Sequence, residues 1–262
     1  MTSSGTKIAV ILRGMTRNFG ELKEAFLKYL PDTADIFVET YDQLFQDSTT
    51  MQVTRETYES VFGERLKYFH TEDIHSATQQ VVRHMDLHKL PHIIELPLPN
   101  KMKQSTTSTM SQLRKISMAL QALLNYEQQH GFNYEIVILT RPDVVLCTNF
   151  TLPTQDQLAS NMLYCPIGEG FWPDGSRRKG CAKVFGTNIG FNDQIIIGSS
   201  QNLRKFIGIC DRVPDYSSRR NIILNPETLL GYDAWFNALD FIDQDFVTYE
   251  LSAGRRPIEF LS

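Results

Sequence analysis

The chain has 262 residues, 42% hydrophobic and 21% charged, with a net charge of −4. That length allows one large domain or two small ones around a substantial core, and the composition is that of an ordinary globular protein. A net negative chain lacks the basic face of a general nucleic-acid binder. No run approaches the ~18 apolar residues of a spanning helix, so no transmembrane segment is expected.

The first apolar run, Ile8 to Leu12, is too short for a signal-peptide core and reads as a strand, which makes the cytoplasm the expected compartment. A Gly-containing turn is expected over Arg13 to Asn18. Leu22, Ala25, Phe26, Tyr29 and Leu30 then fall at helical spacing, and Pro31 closes that helix. Asp35 to Tyr41 is the next strand, which completes a β-turn-α-β unit of a parallel sheet. The polar segment from Asp47 to Pro99 carries an expected helix over 55–62, a short strand over 66–69 and a helix over 74–84. His84 and His88 are four apart but lack the HExxH pattern, so solvated polar surface is expected there. Ser108 to Gln129 is the clearest helix, with Leu113, Ile116, Leu120, Leu123 and Leu124 as its apolar stripe and Gly131 suited to a left-handed cap.

Ile136 to Thr140 is a run of apolar and β-branched residues that reads as a strand buried on both faces. Pro142 cannot donate to a ladder, so Arg141 and Asp143 are delivered to the carboxyl end of a central strand. Ligands bind at such ends in open α/β sheets, whereas an exposed ion pair there would contribute little. A short helix over 155–159 and a strand over 162–165 follow. Pro166 to Gly180 is a glycine-rich loop with Arg177, Arg178 and Lys179 near its end. Strand character resumes over 191–198, then helices over 201–210 and 226–238 and an edge strand over 246–251. Four widely spaced cysteines (Cys147, Cys165, Cys181, Cys210) with no CxxC pair are expected to be reduced structural thiols. No repeat or linker divides the chain, so a single domain over 1–262 is expected.

Four strand exits carry candidate site residues: Arg13 to Arg17, Thr40 to Asp42, Arg141 to Asp143, and Asn192-Asp193. Arg13 and Arg17 flank Gly14 before a helix, so backbone amides and two guanidiniums can meet a phosphate; a solvated basic turn is the alternative. Neither the P-loop pattern nor GxGxxG is present. Asp143 stands where a carboxylate can hold a divalent cation that bridges a diphosphate. Asp193 and Glu227 are the acid–base candidates. Their other readings are turn chemistry for Asn192-Asp193 and complementing a helix dipole for Glu227.

The succession IAVILRGMTRNF, DIFVETYD, HGFNYEIVILTRPDVVL, FNDQIIIGS and NPETLL resembles small GT-A-type glycosyltransferases of bacterial surface-polysaccharide loci, algae and large DNA viruses. In that family a Gly-x-x-Arg turn is matched by Gly14 to Arg17, and a DIF-x-x-T-W/Y-D strand by Asp35 to Asp42. The YDIVIRxRxDL strand is matched by Tyr134 to Val145, the ND-x-x-x-x-G strand by Asn192 to Gly198, and the PE-x-L-L helix by Pro226 to Leu230. Two departures stand out: the first arginine of the strand motif falls on Leu139, and a single Asp143 replaces the Asp-x-Asp of better-known GT-A enzymes.

The resemblance implies a Rossmann-like, mixed and mostly parallel sheet flanked by helices. It implies a nucleotide-sugar donor held by residues 1–150, at Arg13, Gly14, Arg17, Thr40, Asp42, Arg141 and Asp143, and a glycan acceptor on 151–262. Asp143 would hold Mn²⁺ or Mg²⁺, unless arginines neutralise the leaving diphosphate instead. Asp193, ahead of Glu227, would serve as base in an inverting reaction. The loop over 166–180 would act as a lid, with Phe171 and Trp172 against a sugar. Two other readings remain: a non-catalytic carbohydrate- or nucleotide-binding protein on this scaffold, and a methyltransferase, which the missing Gly-rich first loop argues against.

Overall fold

The structure, a computed structural model, describes residues 6–17, 19–46, 49–95, 103–158, 161–166, 192–220 and 222–243, with shorter stretches at 169–171, 177–179, 183–184, 187–188, 246–247 and 249–251. In chain order the first half forms β1 (Ile8–Arg17), α1 (Phe19–Tyr29), β2 (Asp35–Gln46), β3 (Thr49–Gln52), α2 (Arg55–Phe62), β4 (Leu66–Glu72), α3 (Ile74–Leu87), β5 (Ile93–Glu95), β6 (Lys103–Ser105), α4 (Thr106–His130), β7 (Ile136–Thr140) and β8 (Val144–Leu146). The second half adds α5 (Gln155–Leu158), β9 (Met162–Cys165), β10 (Glu169–Phe171), β11 (Arg177–Lys179), β12 (Lys183–Val184), β13 (Thr187–Asn188), β14 (Ile195–Gly198), α6 (Ser200–Leu203), α7 (Ile209–Arg220), α8 (Pro226–Phe236), β15 (Asp240–Asp243) and β16 (Tyr249–Leu251).

The main sheet has eight strands in the order β15-β9-β14-β7-β1-β2-β3, with β4 also paired to β2. Strands β4, β2, β1 and β7 are mutually parallel, and β14 runs antiparallel to both β7 and β9. This is the expected mixed, mostly parallel α/β sheet. Alternate residues of its strands serve two cores. Ala9, Ile11, Phe37, Val137 and Leu139 pack with Leu113, Ile116, Leu120 and Leu123 of α4. Val10, Leu12, Val38 and Ile138 pack on the other face with Phe19, Phe26 and Tyr58. Burial on both faces is why β7 reads as an unbroken apolar run rather than an alternating one. Gly131 caps α4 in the left-handed conformation (φ 68°, ψ 34°), its amide donating to the Glu127 carbonyl.

Four expectations need correction. The Arg13–Asn18 turn does not form. Instead β1 continues to Arg17 past a bulge, where its pairing with β2 shifts from Gly14↔Thr40 to Thr16↔Leu44. Gly14 absorbs that irregularity at φ +100°, a conformation other residues rarely adopt. The helix over 201–210 is broken: α6 runs into a 3₁₀ turn at Arg204–Phe206, and Gly208 at φ +77° precedes α7. The final strand, β16, pairs with β8 rather than with the main sheet, whose edge is β15. Within 166–180, β10 and β11 form an antiparallel pair, Glu169 opposite Lys179. Trp172 lies outside the described residues, as do Phe191 of the expected 191–198 strand and Cys181. No helix among the described residues is long and apolar enough to cross a membrane.

Candidate active site

Register brings the site together. Leu12 of β1 stands opposite Thr140 of β7, so the next residues, Arg13 and Arg141, leave neighbouring parallel strands at the same edge. Ile195 of antiparallel β14 also pairs with Thr140, which puts Asp193 and Gln194, just before it, at that edge too. The Asn192 side chain accepts from the Gln194 amide at 2.9 Å, the turn chemistry expected there.

Pro142 turns the chain so that Arg141 grips Asp143 with two parallel hydrogen bonds, Nε to Oδ1 at 2.8 Å and Nη2 to Oδ2 at 2.7 Å. Asp143 is 2% exposed, so this is no surface ion pair. Burial works to lower the Arg141 pKa, but the hydrogen bonds and charge of Asp143 outweigh it, and the net shift is upward. Arg17 reaches over from β1, its Nη1 4.0 Å from Asp143 Oδ2, with a side chain still 40% exposed. Arg13 is buried. It donates to the Asp193 carbonyl and lies 3.8 Å from the Asp193 carboxylate, while its Nε has no partner among the described residues. Burial lowers its pKa to about 10, partly offset by Asp193, which leaves it a cation at neutral pH.

Glu227 enters from the start of α8, where Asn225 caps by accepting from the Thr228 amide at 2.7 Å and Pro226 opens the first turn. A helix start favours a carboxylate. Burial and then the charge of Asp193 nevertheless push its pKa up to about 7, against the pull of Arg141 and Arg13. Folded Glu227 holds its proton up to about pH 7, and the unfolded chain releases it near 4.5. Stability from this group is therefore full below the unfolded value and is lost as pH rises toward 7, by at most about 3 kcal/mol. Glu227→Gln keeps the neutral form at every pH. Denaturant titrations at pH 5 and pH 8 should show the wild type weakening more than the variant.

Arg13, Gly14, Arg17, Arg141 and Asp143 line one cleft of about 310 Å³, closed by the start of α4. Asp193 and Glu227 couple to it through Arg13 and Arg141 without lining it. Two expected donor contacts sit elsewhere. Thr40 is fully buried and its hydroxyl is committed, donating to the Gly14 carbonyl at 2.7 Å and sharing a 2.8 Å bond with Thr16. It braces the bulge and has no free face for a ligand. Asp42 accepts from the Ile74 amide at 3.3 Å, at the start of α3, and does not line the cleft.

At Asp143, where a divalent cation bridging a diphosphate is expected, the carboxylate is held by arginine. Both its oxygens accept from Arg141, and no group of three or more His, Cys, Asp or Glu side chains is placed to hold a metal among the described residues.

A buried ionic hub, unforeseen from the sequence, borders the cleft, whose lining includes Tyr41 and Lys115. Lys115 of α4, fully buried, donates to Glu39 Oε1 at 2.7 Å and to the Thr40 carbonyl at 2.6 Å, and pairs with Glu72 at 2.7 Å. Tyr68 and His70 donate to Glu39 as well, at 3.2 and 3.0 Å, and Lys115 also lies 4.4 Å from the Tyr41 ring. The signal was present: Glu39 alternates with Phe37 and Tyr41 on one face of β2, and Lys115 abuts Ile116 on the apolar side of α4.

A scan against models of known protein families and a search of curated proteins returned no match to this chain.

Proposed function

We propose that this chain is a glycosyltransferase of GT-A type that moves a sugar from a nucleotide-sugar donor to a hydroxyl of a glycan acceptor. The observation that carries the reading is the convergence of Arg13, Arg17 and Arg141 on one cleft at the carboxyl ends of β1 and β7. Breaking the bond between the anomeric carbon and the diphosphate oxygen leaves negative charge on the diphosphate. Guanidiniums already held in place stabilise that charge without reorganising. Arg17, the most exposed of the three, meets the leaving group directly. Arg141 is oriented by Asp143, and Arg13 lies below. The arginines thus take the task a divalent cation has in metal-dependent members of the class.

Of the two acid–base candidates, Glu227 is favoured over Asp193. Its pKa lies near neutrality, where a proton can be given or taken, whereas Asp193 is 4% exposed and tied to Arg13. The reading is tested with a panel of UDP-, GDP- and TDP-sugars, assayed for hydrolysis and transfer with Mn²⁺, Mg²⁺ or chelator. Turnover of one donor class that survives chelation is expected. Turnover that depends wholly on added metal would sink the arginine mechanism.

A second reading, nucleotide or carbohydrate binding without turnover, draws on one observation: neither Asp193 nor Glu227 lines the cleft. Saturable binding with no turnover across the panel would select it.

A further inference from the structure

The start of α4 lines the same cleft through Ser105, Thr107, Ser108, Ser111 and Gln112. This helix is 25 residues long and has no acidic residue in its first turn, so the positive end of its dipole is not compensated within that turn. Its cap is weak, the Ser108 amide reaching Ser105 Oγ only at 3.4 Å, while the Thr106 amide is already bonded to the His92 carbonyl at 3.0 Å. A second, independent feature asks for an acceptor here. Arg13 is 1% exposed, lines the cleft, and has an Nε–H with no partner among the described residues. The buried amide oxygen of Gln112 is unpartnered as well, and turning that amide over presents N–H donors at the same place. Asp143 is the one acidic side chain among the described residues lining the cleft, and Arg141 neutralises it.

We propose that the first turn of α4, with Arg13, forms a phosphoryl subsite in which the hydroxyls of Ser105 and Ser108 and the helix dipole hold one phosphoryl group of a diphosphate ester, the other facing Arg17. This rests on reading the cleft as the diphosphate site of the donor. It moves the phosphate cradle from the β1–α1 connection, where the amides of Thr16 and Arg17 belong to a strand paired with β2, to a helix on the other side of the cleft.

The test is calorimetric titration of inorganic pyrophosphate, and of UDP, GDP and TDP, into the wild type, Ser108→Ala and Ser108→Asp. An aspartate in a first helical turn favours the helix, so the Ser108→Asp Tm should be unchanged or raised while its carboxylate repels the anion. Pyrophosphate affinity is expected to fall at least about tenfold in Ser108→Asp, since one like charge at contact distance is enough for that, and a few-fold in Ser108→Ala. Equal affinity in the three proteins, or no pyrophosphate binding by the wild type, would overturn the subsite. The two readings separate cleanly. Pyrophosphate binding that Ser108→Asp abolishes, in a wild type that turns over no sugar nucleotide, keeps the subsite and removes the transferase. Sugar-nucleotide turnover with the same KM in wild type and Ser108→Asp keeps the transferase and removes the subsite.

Discussion

Lys115→Met should be the most damaging single substitution in this protein, with a loss of about 3–5 kcal/mol. The methionine fits the volume, but Glu39, wholly buried, loses its cation, and Glu72 loses one of two. Against a typical total stability of about 5–15 kcal/mol, that is enough to lower Tm by on the order of 10 °C and to leave part of the protein unfolded at 37 °C. The cost comes mainly from the stranded carboxylates, not from the lost attraction. Lys115→Met combined with Glu39→Gln should therefore recover a substantial part of it, because Gln keeps the contacts with Tyr68 and His70 but needs no counter-charge. Thermal unfolding of the two single variants and the double variant checks this. A Lys115→Met protein within about 1 kcal/mol of wild type would show that the hub is not a structural element.

Arg17→Ala should have the largest effect on activity with the least effect on the fold. Its side chain is 40% exposed, touches Met15 Sδ at 3.4 Å through Nε and lies 4.0 Å from Asp143, so removing it should cost under about 1 kcal/mol. If it meets the charge that develops on the leaving diphosphate, kcat should fall by about 10²–10³, the usual loss for one such donor. Arg17→Lys should recover only part of that, since an ammonium restores the charge but not the two-pronged geometry. Steady-state kinetics of the three proteins, next to their unfolding curves, separates the two effects. Asp143→Ala is a less clean experiment, because it releases Arg141 from its only two side-chain hydrogen bonds among the described residues and disturbs structure and site together.

Much of this was legible in the residues themselves. The run Ile136 to Thr140 ended by Arg-Pro-Asp announces a buried strand and its exit, because proline forbids further pairing and five apolar or β-branched residues have no other place to go. The helix with Leu113, Ile116, Leu120 and Leu123 announces itself by period. What composition and period do not carry is register. Nothing local to Leu12 or Thr140 says that they stand opposite each other, yet that pairing sets Arg13 beside Arg141. Gly14 misled for a related reason: a positive φ serves a turn and a bulge equally, and only the partner strand decides which forms. Thr40 was placed at the right edge, but its hydroxyl points to its neighbours in the sheet rather than to the cleft. Lys115 and Glu39 were overlooked because each charge, taken singly, reads as solvent-facing. Burial became tolerable only once an element 76 residues away supplied the opposite sign.

The central claim, that the arginine-lined carboxyl edge of β1 and β7 binds the diphosphate of a nucleotide, is tested most directly by calorimetric titration of UDP, GDP and TDP in the presence of a chelator. The account predicts saturable one-to-one binding of at least one of them to the wild type, weakened at least about tenfold by Arg17→Ala and further weakened by salt. The absence of binding by all three, or an affinity that Arg17→Ala leaves unchanged, would contradict it.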